Sequence, residues 1–371
     1  MRIGFDAKRA FLNNTGLGNY SRDLIRSLSE NYPNDDYFLY STQTTKENRR
    51  ILKNENTHIR VPNSKIDILF KSYWRSKKII NDLIGDKIEL YHGLSNELPY
   101  GIEKTNIKSI VTIHDLIFLK YPEFFTYTDR SIYLKKVRHA CNVSDRIVAV
   151  SKQTKEDIID FLKIPKDKIQ VAYQSCNEVF QRQIPKEKKE EISKKYNLPN
   201  KFLLNVGSIE ERKNLLTILK SLKNLNNQKL VVIGHGKKYR RRCEDFIKNN
   251  NLSDQVIFLM DLGINEIACI YQLSEILIYP SISEGFGIPI IEALFSNIPV
   301  ITTKGGCFEE AGGNHSIYID PLSESQMTSS ILSIQKCKEL RERMTAEGMK
   351  HVKRFTTTNS LKQITSIYNS L

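Results

Sequence analysis

The chain has 371 residues, 40% of them hydrophobic and 26% charged, with 17 Gly, 11 Pro and a formal net charge of +14. This composition fits a soluble globular protein of two or three domains and excludes collagen-like, low-complexity and disordered chains. A sequence pI ≈ 9.3 favours an anionic partner: a nucleotide, a phospholipid surface or a nucleic acid.

The first residues, Met1 to Asp6, hold no apolar run of signal-peptide length. No run of 18 apolar residues occurs along the chain, so no membrane span is expected. The six cysteines are scattered, and the nearest pair, Cys243 and Cys269, is too widely spaced for a CxxC knuckle. Sparse cysteines suit a reducing cytoplasm, and no metal site is expected.

In chain order, short apolar runs at 3–5, 109–113, 146–150, 202–206, 230–233, 256–259, 276–279 and 299–302 read as buried parallel strands. Segments of helical period at 21–28, 154–162, 214–222 and 288–295 lie between them. Alternation of this kind predicts an α/β fold with parallel sheets covered on both faces. The charged stretch 181–200, with two prolines, reads as a linker between two doubly wound domains. Ligands then belong at the carboxyl ends of the strands.

Four loops follow strands. At 13–20, NNTGLGNY places Gly16 and Gly18 before a helix, where backbone can approach a ligand closely; a plain turn fits as well. His114 and Asp115 directly follow the strand at 109–113. Gly207 follows the strand at 202–206, and Arg212 and Lys213 precede the next helix, two cations able to clamp a phosphate without metal; a solvated surface turn is the plainer reading. The most informative stretch is EGFGIPIIE at 284–292. Glu284 and Glu292 can each grip a pair of hydroxyls, while the amides between them can hold an anion. Together they describe a nucleoside diphosphate sugar.

These motifs, with YHGLSNELP at 91–99, TIHDLIFLKYPEFF at 112–125, DRIVAVSKQTKEDI at 145–158 and VGSIEERKNL at 206–215, give the chain its resemblance. It resembles the retaining glycosyltransferases of the group-1 (family 4) class, and within them the bacterial polysaccharide and lipopolysaccharide mannosyltransferases. The resemblance covers nearly the whole chain. It implies the GT-B fold: two Rossmann-like domains, 1–180 for the acceptor and 201–354 for the nucleotide sugar, facing across a cleft. Residues 355–371 would form a helix packing back on the first domain.

The resemblance also implies roles. Glu292 would bind the ribose and Glu284 the donor sugar. The amides of Gly285 to Gly287, with Gly207 and Ile288 beside them, would touch sugar and diphosphate, and Phe286 would shape the pocket. Arg212 and Lys213 would neutralise the leaving diphosphate. His114 would contact the sugar near its reacting face, Asp115 would orient it or the acceptor, and Gly16 and Gly18 would line the acceptor side. Two departures stand out: Ser208 replaces an arginine common in relatives, and Phe258-Leu259-Met260-Asp261 departs from their base-framing loop.

The resemblance implies hexosyl transfer with retention, and the absence of any Asp-x-Asp, with the Arg212–Lys213 pair, predicts that it needs no metal. Mannose from GDP-mannose is the first expectation, with UDP-hexoses and dTDP-rhamnose as alternatives, and a glycan or lipid-linked glycan as acceptor. Two further readings concern other partners. The segment 64–86, with the only Trp among Lys and Arg, reads as a basic amphipathic helix for an anionic membrane surface, or as an ordinary core-facing helix. The run 237–242 invites a nucleic-acid reading, disfavoured because no stacking platform accompanies it.

Overall fold

A computed structural model describes residues 1–13 and 15–371; Asn14, within the glycine loop, lies outside the described residues. The chain divides into two compact units, one of residues 1–174 with 357–371, the other of 175–356.

The first unit is built on seven parallel strands: β1 (Arg2–Asp6), β2 (Asp36–Tyr40), β3 (Thr57–Arg60), β4 (Leu90–Gly93), β5 (Lys108–Ile113), β6 (Arg146–Ala149) and β7 (Ile169–Val171). Their order is β3-β2-β1-β4-β5-β6-β7. The second unit has β8 (Leu203–Val206), β9 (Leu230–Ile233), β10 (Val256–Leu259), β11 (Ile276–Tyr279), β12 (Val300–Thr303) and β13 (Ile317–Ile319), ordered β10-β9-β8-β11-β12-β13. Every recorded pairing is parallel, as in Ile3↔Tyr37 and Leu203↔Leu230. Both sheets reverse their winding once, between β1 and β4 and between β8 and β11. Those are the points where adjacent connections leave in opposite directions and open a crevice at the strand ends.

The strands expected from apolar runs are present. β2, β3, β4 and β13 escaped that reading, and for the first two the reason is physical. Asp-Tyr-Phe-Leu-Tyr buries its rings without a β-branched residue, and Thr-His-Ile-Arg is only half-buried at the sheet edge.

Two expectations about the domains need correction. The first unit ends at residue 174 rather than 180, and 181–200 is not a linker. Its helix Lys186–Lys195 belongs to the second unit: Ile192 is buried, and Lys195 and Tyr196 reach Glu266 on the helix Ile264–Leu273 at 2.6 and 2.8 Å. One buried isoleucine under a charged face is enough to dock a short helix, and composition alone did not reveal it. The final helix, Thr357–Tyr368, belongs to the first unit and brings Leu361, Ile364, Ile367 and Tyr368 into one buried apolar cluster with Phe5, Ile25 and Leu28.

The segment 64–86 is not one amphipathic helix. It breaks into Lys65–Leu69, Lys71–Tyr73, a π turn at Trp74–Lys78 and Ile79–Gly85. Trp74, expected at a membrane surface, is 2% exposed and donates its indole N–H to Asp82 at 2.7 Å. Lys78 is tied to Asp67 at 2.7 Å. The large apolar side chains left exposed are Ile66, Ile68, Leu69, Phe70, Tyr73 and Ile84. Among the described residues, no helix is long and apolar enough to cross a membrane.

Candidate functional site

In the second unit the expected residues converge where β8 and β11 part. After β8, Gly207 donates its amide to Ile233 O at 2.9 Å, and a short turn brings Arg212 and Lys213 round. After β11 comes Glu284. Arg212 Nη1 donates to Glu284 Oε2 at 3.1 Å and to Ser283 O at 2.9 Å. Lys213 Nζ pairs with Glu284 Oε1 and donates to the Tyr279 hydroxyl at 2.8 Å. Tyr279 in turn donates to Glu284 Oε1 at 2.9 Å.

Burial alone would raise the Glu284 carboxyl. The Lys213 and Arg212 charges outweigh it and hold the group down at about 2. Burial, joined by Arg212, lowers Lys213 against the pull of Glu284. Glu284 is therefore a fixed anion with both oxygens engaged, a weak nucleophile and a good acceptor. Tyr279 was not anticipated; its place at the end of β11, five residues before Glu284, was the available signal. Glu210 is the other partner missed. It takes Arg212 Nη2 at 2.7 Å and Ser208 Oγ at 2.8 Å. Two cations thus face two carboxylates, and of these Glu210 is much the more exposed.

The loop ahead explains its own sequence. Gly287 caps the helix Ile288–Phe295 at φ 122°, a conformation that costs a residue with a side chain about 1–3 kcal/mol. Pro289 is accepted in the first turn because those amides have no helical partner anyway. Phe286 is buried edge-on against Phe355, ring centroids 5.2 Å apart. Ile288 opens the helix and Glu292 lies one turn on, accepting from the Tyr271 hydroxyl at 2.8 Å. Gly305, in the turn after β12, donates its amide to Glu309 at 2.8 Å.

The first unit holds the remaining expected residues. His114 is 5% exposed. Its Nδ1 faces the Gln174 amide nitrogen at 3.0 Å and its Nε2 the Leu94 carbonyl at 2.8 Å. The amide donates to one nitrogen, so the proton sits on Nε2, and burial lowers the ring to about 4. It is a locked neutral imidazole, with no ring nitrogen left for proton transfer. Asp115 accepts from the Ile117 amide at 3.2 Å. The ring of Tyr20 stands edge-on to His114 at 4.9 Å, and its hydroxyl meets Thr112 Oγ1 at 3.3 Å. Thr112 also meets His92 Nε2 at 2.8 Å, and His92 Nδ1 meets the Tyr368 hydroxyl at 2.7 Å. No local motif signalled this buried chain.

The two expected glycines part company. A side chain on Gly18 would lie 1.7 Å from Asn13 O, so this glycine lets the helix Gly16–Asn31 pack. Gly16 faces open space.

Comparison with known proteins completes the picture. The model of the group 1 glycosyl transferases matches residues 188–351, and that of glycosyltransferase family 4 matches residues 14–177. The chain belongs to the group 1 glycosyltransferases. It is 30% identical to the O-antigen chain mannosyltransferase RfbU of Salmonella typhimurium, over 61% of this chain and 60% of the relative. It is 26% identical to O-antigen chain mannosyltransferase B of Escherichia coli, over 76% and 74%. The match thus spans less than two thirds of the Salmonella relative's length. The fold is that of the Anabaena protein HepE in complex with UDP-glucose, with a TM-score of 0.81 at 14% identity over the whole of both chains. The two parallel α/β sheets are those of a GT-B glycosyltransferase.

Proposed function

We propose that the protein is a hexosyltransferase of cell-surface polysaccharide assembly, moving a sugar from a nucleoside diphosphate to a glycan or lipid-linked glycan. The observation that carries this reading is the Arg212–Lys213–Glu284 cluster at the reversal of the second sheet, beside the Gly285–Gly287 turn. A polyol and a diphosphate need such a pairing of fixed anion and fixed cations. Relatives named as O-antigen mannosyltransferases support mannose as the sugar, with GDP-mannose as donor. A solved neighbour that holds UDP-glucose keeps UDP-hexoses in contention, and dTDP-rhamnose completes the panel.

In this reading the donor's diphosphate takes Arg212 and Lys213 as Glu210 swings away. The amides of Gly285 to Gly287 meet the remaining oxygens, and Gly207 and Ile288 flank them. Glu292 accepts the ribose hydroxyls and Glu284 those of the sugar. As the anomeric bond breaks, charge grows on the leaving diphosphate, and preplaced cations stabilise it more than they stabilise the ground state. No metal enters this scheme. Attack from the same face retains configuration, with the departing phosphate taking the acceptor's proton. In the first unit Asp115 holds the loop of His114, and Gly16 and Gly18 are assigned to the acceptor.

Release of one nucleoside diphosphate from a panel of GDP-, UDP- and dTDP-sugars, with EDTA present, tests the reading and fixes base and sugar. No turnover and no calorimetric binding of any nucleoside diphosphate would overturn it. Full activity in Glu284→Gln would remove its assigned role.

Membrane contact is the second part of the proposal, placed on the cytoplasmic face where nucleotide sugars are made. Its support is the exposed Ile66, Leu69, Phe70 and Tyr73 beside Lys65 and Lys71. Apolar side chains among cations suit an anionic bilayer surface. Leu69→Ser with Phe70→Ser should abolish sedimentation with anionic liposomes; sedimentation unchanged from the wild type would rule this surface out.

A further inference from the structure

The first unit carries a charge cluster that the reaction scheme above leaves unused. It sits where the first sheet reverses, the place corresponding to the donor cluster of the second sheet. β1 ends in Asp6, and the helix Lys8–Leu12 starts two residues later. Asp6 is 3% exposed and both its oxygens are taken by Arg75, through Nη2 and, at 3.1 Å, Nε. Arg75 also donates to Glu97 Oε2 at 2.8 Å, and Lys136 reaches Glu97 Oε1 at 3.1 Å. Every carboxylate oxygen of the cluster is therefore committed.

Lys8 and Arg9 are half-buried in the same place. Among the described residues, neither side chain makes a hydrogen bond or ion pair. Lys8 feels the charges of Arg75, Glu97, Asp6 and Arg9, and Arg9 in turn acts on His114. Lys8, Arg9, Arg75 and Lys136 against Asp6 and Glu97 leave two positive charges uncompensated. Half-buried cations without counter-charge are costly, and they persist where a ligand supplies the anion. Two charges, one of them a forked guanidinium, match a phosphate dianion or a diphosphate. The crevice at the strand ends, beside His114, is where an α/β sheet binds its ligands.

We infer that Lys8 and Arg9 form a second phosphate-binding site, which takes a phosphate or diphosphate group of the acceptor. The assignment to the acceptor rests on the proposed function, because the donor's diphosphate is already matched by Arg212 and Lys213. The site itself does not depend on that reading. One source of such a group is a lipid-linked acceptor; the exposed Leu69, Phe70 and Tyr73 stand in the segment that leads into Arg75. The other is a soluble sugar phosphate.

The test is calorimetric titration of the full chain with inorganic pyrophosphate, alone and with GDP and UDP in excess to fill the donor site. The wild type should bind pyrophosphate even with the nucleotides present. Lys8→Gln with Arg9→Gln should weaken that residual binding about tenfold or more, as loss of two charge-assisted contacts requires. The same variant should leave nucleoside diphosphate affinity unchanged, and Lys8→Arg with Arg9→Lys, which keeps both charges, should restore pyrophosphate binding. An unchanged melting temperature separates these effects from misfolding.

Residual binding that is absent in the wild type, or intact in the double Gln variant, overturns the site. Equal loss of nucleotide affinity would transfer Lys8 and Arg9 to the donor and overturn the acceptor assignment. Failure of every nucleotide to bind while pyrophosphate still depends on Lys8 and Arg9 would sink the donor reading alone. Farnesyl diphosphate in place of pyrophosphate then names the source. Tighter binding that Leu69→Ser with Phe70→Ser removes supports a lipid-linked acceptor, and equal binding supports a soluble phosphate ester.

Discussion

Lys213 is the residue on which the Arg212–Lys213–Glu284 cluster turns, because its largely buried ammonium bonds to both Glu284 and Tyr279. Lys213→Met is expected to lower donor turnover about 10²–10³-fold, the usual loss for one preplaced donor to developing charge. Rates of nucleoside diphosphate release at saturating donor check this. The buried histidines give a prediction in pH. His92 is held at about 3 and His114 at about 4, in each case chiefly by burial, while an unfolded chain takes up these protons near pH 6.5. Below that value the unfolded state binds more protons, so stability is full above about pH 6.5 and falls toward pH 4. Each histidine contributes up to about 1.4 kcal/mol per pH unit. Melting temperatures of the unliganded protein between pH 5 and 6.5 should fall with acid, and His92→Gln should flatten the slope.

At the scale of elements, the glycine loop separates two causes that look alike in sequence. Gly18→Ala forces a side chain into the Asn13 carbonyl and should unfold or strongly destabilise the first unit. Gly16→Ala meets open space and should melt within about 2 °C of the wild type, since a surface change away from special features moves stability by under about 0.5 kcal/mol. Any loss of transfer in Gly16→Ala then reports ligand contact. Scanning calorimetry with acceptor kinetics distinguishes the two. The sequence motif named both glycines together because spacing shows which residues lack a side chain and hides what surrounds them. The same holds for 64–86: the sequence placed aromatics and cations in one segment, and only packing decided that Trp74 turns inward while Phe70 stays out.

Across the whole molecule, the C-terminal helix belongs to the unit in which the chain begins. It buries Leu361, Ile364, Ile367 and Tyr368, and Tyr368 closes the hydrogen-bond chain through His92 and Thr112 toward Tyr20. At about 1.5–3 kcal/mol for each buried side chain, the helix supplies about 6–12 kcal/mol, comparable with the total stability of a domain. Truncation after Thr356 should therefore unfold the first unit and leave the second folded, seen as loss of one of two transitions in a denaturant titration. The α/β alternation, most of the strands and the members of the Arg212–Lys213–Glu284 cluster were legible in the sequence alone. Apolar runs and strand-end motifs are local, and each stands within a few residues of its cause. Packing alone set the domain boundary at 174, the docking of the helix at 186–195 and the neutral, fully bonded state of the His114 ring. It also brought out Tyr279, Glu210, Lys8 and Arg9. These depend on which distant side chains meet, and whether a charge finds its partner is settled by packing that no single segment encodes.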